Sequence, residues 1–273
     1  MSRDGRALFG QRMGMPEQMI TRRTLLGGAL AGAALALSSG ARAIGAQQKV
    51  TALRLRHGGG SDLHPGALET LLEETRLRTS VDTADLSLVV DPSSVELHDS
   101  LFAVVIGNGP FSFTDEERQR LSRWLGLGGF LLFDNAGRTA PDAGFDRSAR
   151  AELKKLIPEA PLERVSPEHV LYRTFYRLDY PAGRAIFQPY VEGVRMGTRY
   201  GAILSHNDVM GALARDGQGF AETPVPGGET QREMAMRFGV NLLMYAACIH
   251  YKDDQAHLNF LLHRRKWKIR PPP

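Results

Sequence analysis

LFAVVIGNGPFSFTDEERQRLSRWLGLGGFLLFDN, residues 101–135, decides the fold. Leu101–Ile106 is an unbroken apolar run without alternation, the pattern of a strand covered on both faces, and it stops at Gly107-Asn108-Gly109-Pro110. Thr114 followed three residues later by Glu117 makes a capping box, and Leu121, Trp124 and Leu125 continue at helical spacing until Gly126, Gly128 and Gly129 end the helix. Phe130–Phe133 is a second buried strand, with Asp134 and Asn135 at its carboxyl end. Strand, helix, strand in which both strands are apolar throughout predicts a mostly parallel sheet with helices on both faces. The class is α/β, a three-layer sandwich.

The pattern extends in both directions. Upstream, Val50–Arg56 alternates, with Leu53 and Leu55 against Arg54 and Arg56, and reads as a strand with one more exposed face. It enters the flexible loop His57-Gly58-Gly59-Gly60-Ser61, a helix over about 65–77 and a short strand over 86–90. Downstream, a helix over about 148–156 stops at Pro158, and residues 158–198 read as irregular, with a hairpin or excursion. Tyr200–Leu204 is the last core strand, followed by Ser205-His206-Asn207-Asp208 and a Gly/Pro loop over 217–228. From Glu229 to Ile269 there is no proline, and Ala235, Phe238, Leu242, Tyr245 and Ile249 keep helical spacing. The domain spans residues 50–250 without internal repeat; residues 251–273 are a continuing helix and a basic tail around Trp267.

Residues 1–43 read as a leader. Arg22-Arg23 stands directly before thirteen uncharged residues, Leu25–Leu37, which are too few to span hydrocarbon, and Ala41-Arg42-Ala43 supplies a small-x-small cleavage pattern. Paired arginines before a weakly apolar segment resemble signals of the twin-arginine export pathway, so the expectation is a periplasmic protein with no transmembrane span once the leader is cut. Six Arg, Asp4 and Glu17 in that segment account for the whole formal charge of +4. The remaining domain is near neutral, which gives no footing for nucleic-acid binding. The single cysteine, Cys248, excludes an internal disulfide and thiolate zinc sites.

Three chemistries compete with simpler readings of the same residues. Cys248 lies inside a helix, where it serves as a small apolar residue, while a thiol nucleophile requires a tight strand-to-helix turn; no G-x-S-x-G elbow occurs either. His57–Ser61 follows a strand and precedes a helix, where backbone amides cradle anions, yet it lacks the P-loop lysine and also reads as a plain turn. Asp134, His206 and Asp208 lie just beyond strand ends and form a candidate cation set; capping of the helices that follow them is the simpler and favoured account of both aspartates. In open α/β sheets ligands bind beyond the carboxyl ends of the strands, so the candidate ligand-binding residues are Asp134, Asn135, Asn207 and Asp208, with His169 closing over them from the excursion. No metal ligand set and no cofactor is assigned.

LRLRHGGG (53–60), TDEERQRLSRWLGLGGFLLFDNA (114–136), ELKKLIP (152–158), AILSHND (202–208) and RFGVNLLMYA (237–246), in that order and spacing, resemble the bacterial family called domain of unknown function 4159. The resemblance implies a flavodoxin-like or class I glutamine-amidotransferase-like fold, no established activity, and an envelope partner of the von Willebrand factor A type. Two positions depart from the family pattern: Asn108 stands where a histidine between glycines is usual, and the acidic pair after the glycine-flanked strand is Asp134-Asn135. The functional expectation is a binding or assembly module in the cell envelope, against the alternative of a hydrolase or amidotransferase-like enzyme using a strand-end pocket.

Overall fold

The computed structural model describes residues 49–137 and 144–264, the last sixteen as helical backbone alone. The leader over 1–43 and the basic tail beyond Arg264 lie outside the described residues. Strands β1 (Ala52–Leu55), β2 (Leu88–Val90), β3 (Phe102–Gly107), β4 (Phe130–Asn135), β5 (Leu162–Arg164), β6 (Glu192–Met196) and β7 (Arg199–Ser205) form one sheet in the order β2-β1-β3-β4-β7-β6-β5. β2, β1, β3, β4 and β7 run parallel, and β6 and β5 add an antiparallel edge. The described helices are α1 (Ala67–Arg78), α2 (Asp115–Gly126), α3 (Gly144–Leu156), α4 (Val209–Leu213) and α5 (Gly228–Arg264). None of them is long and apolar enough to cross a membrane.

Alternate side chains of each strand go to opposite faces, and this sorts the core into two layers. Phe102, Val104, Ile106, Phe130 and Leu132 pack under α1, α4 and α5, through Leu68, Leu71, Met210, Leu213, Phe238 and Leu242. Leu53, Leu55, Val105, Leu131 and Phe133 pack under α2 and α3, through Leu121, Trp124, Phe145 and Leu153. With a helical layer on each side, the apolar runs of β3 and β4 are buried on both faces, as their composition requires.

The capping box forms. The Thr114 hydroxyl accepts from the Glu117 amide at 3.3 Å, and the Glu117 carboxylate accepts from the Thr114 amide at 2.6 Å. At the other end of α2, Gly129 lets the chain turn beneath Trp124: a Cβ there would lie 2.3 Å from the indole, whose N–H donates to the Ser100 carbonyl at 2.8 Å.

Two expectations are corrected. β1 has no exposed face, because it is an interior strand covered by helices on both sides; Arg54 is only 5% exposed. Its guanidinium donates to the carbonyls of Ser61, Leu63 and His64, so the buried charge organises the loop after β1. The stretch 158–198 is less irregular than its Pro and Gly content implies, since it holds β5 and β6, and β6 turns into β7 through Gly197-Thr198.

Replacing Thr114 with Ala should cost about 1 kcal/mol in urea unfolding, the usual worth of an N-cap side chain. Thr114→Ser should retain nearly all of it.

Candidate functional site

The carboxyl ends of β1, β3, β4 and β7 gather four loops on one edge of the sheet. Connections leave β1 and β3 in opposite directions, and the crevice between such strands is where open α/β sheets bind ligands. Here the crevice is closed by its own backbone. Asn108 and Gly109 amides both donate to the Gly59 carbonyl at 3.1 Å. The Gly59 amide donates to His57 Nδ1 at 3.0 Å, so that nitrogen carries no proton, and Nε2 donates to the Ile106 carbonyl at 2.7 Å. Burial pushes the His57 pKa down, in keeping with this neutral tautomer. A Cβ on Gly59 would meet the Gly109 carbonyl oxygen at 2.6 Å, and one on Gly107 would meet the Phe145 ring at 2.6 Å. The glycines serve close packing of two loops, and the Gly59 amide is already engaged by His57.

Asp134 and Asp208 converge, and both are fully buried. Asp134 accepts from the amides of Val209 and Met210, at 3.0 and 2.7 Å, and so caps α4 from the end of β4. Asp208, in the left-handed region at φ 53°, caps the same helix by accepting from the Gly211 amide at 3.0 Å. Its carboxylate also pairs with Arg184 and lies 3.1 Å from His64 Nε2, an ion-pair distance off the line of a good hydrogen bond. His64 is itself left-handed at φ 57°. The Asp134 carboxyl is raised to about 6, by burial and then by the neighbouring Asp208 charge. Burial works against the charge of Asp208 too, but His64 and Arg184 outweigh it and hold its carboxyl below the usual range. Burial likewise opposes charge on His64, and Asp208 outweighs it, so His64 lies above its ordinary value.

Asn207 ties down the excursion. Its side-chain oxygen accepts from Phe187 and Gln188 amides at 2.9 and 3.0 Å, and its amide donates to Pro181 and Gln188 carbonyls at 2.6 and 2.7 Å. Asn135 accepts from the Gly137 amide at 2.9 Å and fixes the turn after β4. His169 is elsewhere. Its ring packs against Tyr200 and Tyr245, with centroids 4.8 and 5.8 Å away, and Tyr200 opens β7 at the amino edge of the sheet. The excursion enters the carboxyl edge through Arg184, not His169.

His206 does not join Asp134 and Asp208, because it turns to the opposite layer. Its Nε2 lies 2.9 Å from Glu192 and its Nδ1 3.4 Å from Asp146, buried like that acid, in a ring closed at the surface by the half-exposed Arg150. Burial opposes the Glu192 charge, but His206 and Arg150 outweigh it and bring that carboxyl down to about 2. Among the described residues no cluster of His, Cys, Asp and Glu has an arrangement that could hold a metal ion. Sequence reading missed Arg184 and left His64 without a role. Arg184 carries no local signal, and His64 is marked only by the Pro65 that follows it.

The charge network fixes a pH response. Asp134, raised in the folded state, stabilises the fold at low pH, and that contribution is lost as pH rises from about 4 through about 6. His64, also raised, acts in the same direction at higher pH, whereas Asp208, lowered, withdraws stability only as pH falls below the ordinary carboxylate range. Denaturant unfolding between pH 4 and 6 should therefore show stability falling with pH from this site, and Asp134→Asn should flatten that slope. An unchanged slope in the variant would assign it elsewhere.

A comparison with curated proteins finds no match. The family model described as domain of unknown function (DUF4159) matches residues 50–247, most of the chain and the whole of the sheet just described, and the chain belongs to that family.

Proposed function

We propose that this chain is an exported, non-catalytic binding or assembly module of flavodoxin-like topology that works in the bacterial periplasm. One observation carries the non-catalytic part. Both carboxylates at the strand ends are buried, and their oxygens are engaged by backbone amides, His64 and Arg184. A general acid, base or metal ligand needs a lone pair or proton turned toward a ligand, and here those groups hold α4 and the excursion in place. The flavodoxin-like reading rests on the order of the five parallel strands, β2-β1-β3-β4-β7, which is the 2-1-3-4-5 pattern. The packed switch-point crevice speaks against a phosphate-bearing cofactor between β1 and β3. The export part rests on residues 1–43, and an envelope partner of the von Willebrand factor A type follows from the resemblance alone.

A chelator should leave the melting temperature of the purified protein unchanged, and so should added divalent cations; a drop with chelator would favour a metal-dependent hydrolase. Asp134→Asn and Asp208→Asn should each lower stability by roughly 1–3 kcal/mol through buried groups left unpaired, with partner binding reduced only in proportion. Binding lost at an unchanged melting temperature would make this edge a ligand site.

Replacing Arg22 and Arg23 together with Lys should keep the protein in the cytoplasm. An unaltered periplasmic fraction on immunoblot would refute the twin-arginine route.

A further inference from the structure

β2 ends the sheet on one side, and its outer edge is open. Leu86, Leu88, Val89 and Val95 are between 47 and 71% exposed. β2 itself, Leu88-Val89-Val90, carries no lysine, no proline and no bulge, the devices that usually blunt an edge strand. The charges around this patch are balanced. Arg56 lies 2.9 Å from Asp91 and Arg76 2.9 Å from Asp85, so no field of one sign drives two such patches apart.

The backbone decides which groups the edge offers. The Arg56 amide donates to the Val90 carbonyl at 2.9 Å, so that carbonyl faces β1. Residues along a strand alternate in the side to which they turn their hydrogen-bonding groups. Leu88 therefore faces β1 as well, while the Ser87 carbonyl, both backbone groups of Val89 and the Asp91 amide face outward. Beyond them no strand follows among the described residues. Two groups beside these are already engaged. The Ser87 amide donates to the Glu69 carboxylate at 3.2 Å, and the Asp91 carbonyl accepts from the Ser94 amide at 2.8 Å.

An antiparallel copy of the same strand, related by a two-fold axis at Val89, matches this pattern. Val89 then exchanges two hydrogen bonds with the partner's Val89, and each Asp91 amide donates to the Ser87 carbonyl opposite it. The two engaged groups, the Ser87 amide and the Asp91 carbonyl, fall opposite one another, so neither copy is left with an unanswered donor or acceptor. A strand of another protein would set its own free groups against the engaged ones and leave them unpaired, at a cost. We propose that β2 pairs with β2 of a second copy of this chain and joins the two sheets into one. This rests on the assembly reading above and names its partner. The contact is isologous and uses the same edge of both copies, so it closes at a dimer.

Sedimentation velocity of the full chain should show concentration-dependent association that Val89→Pro weakens at least tenfold. Proline there deletes an amide that β1 does not use, so the melting temperature of the dilute variant should stay close to that of the parent. Val89→Lys and Val89→Glu should each associate as weakly, because like charges then face each other across the axis. An equimolar mixture of those two should recover association, since only a register in which residue 89 faces itself places the opposite charges together. A full chain that stays monomeric at its highest soluble concentration overturns the proposal. So does association that survives Val89→Pro, or a Lys/Glu mixture no better than either variant alone. Each of these leaves the non-catalytic reading standing, because that reading is decided by the chelator and aspartate measurements.

Discussion

Two carboxylates meet at the start of one five-residue helix, and the carboxyl edge of the sheet is built around keeping them there. Asp134 reaches across from β4 and Asp208 comes from the end of β7, so the N-terminus of α4 ties together two strands far apart in the chain. Free backbone amides at a helix start favour negative charge, but two acids in a buried place repel each other. The conflict is resolved by dividing the roles. Asp208 keeps its charge against Arg184 and His64, while Asp134, with two amides, the Ser205 hydroxyl and a like charge around it but no cation paired to it, has its carboxyl raised by burial and by that charge. Remove either cation and the second acid loses its reason to remain ionised. The loop before α1 and the excursion before β6 are thereby held to the same point as α4.

The same economy recurs in the other layer. Arg150 donates to Asp146 and Glu192, and His206 stands between the two acids. Arg54 is buried with no acid in direct contact among the bonds described; it answers three carbonyls of a loop that would otherwise turn them inward. Buried charge in this fold therefore acts chiefly on connections, fixing loops that have few apolar side chains of their own. That assigns its cost of desolvation to specificity of loop geometry, whereas the two apolar layers supply the bulk of the burial.

What the sequence announces, and what it hides, follows the range of the interactions. β3, α2 and β4 declare themselves through uninterrupted apolar runs and a capping box, all signals within a few residues. Asp134 and Asp208 were readable as capping residues, and their convergence followed from a parallel sheet; that Asp134 caps a helix after β7 instead of the one after its own strand was not. His64 and Arg184 were invisible because each meets Asp208 from a distant segment, and neither has a local pattern. Arg54 misleads because alternation marks a half-exposed strand only when one face lacks a helix. His169 falls at the amino edge because the excursion crosses the sheet from end to end, and nothing in its Pro- and Tyr-rich composition says where along the way each residue lies.

The tight turn between β6 and β7 bears on how the sheet assembles. Met196 pairs with Arg199 across two residues, while Leu131 of β4 must find Ala202 of β7 some 70 residues on. By loop-closure entropy the longer pairing costs roughly 3 kcal/mol more to initiate, and hairpins close in about 1–10 μs. The β6–β7 pairing is therefore the entropically cheaper one to close, and lengthening the excursion before it adds little to the cost of the β4–β7 pairing because closure entropy grows only with the logarithm of length. Chain inserted between β4 and β6 is cheap in this architecture, which leaves that stretch open to lengthening without disturbing the order of strands in the sheet.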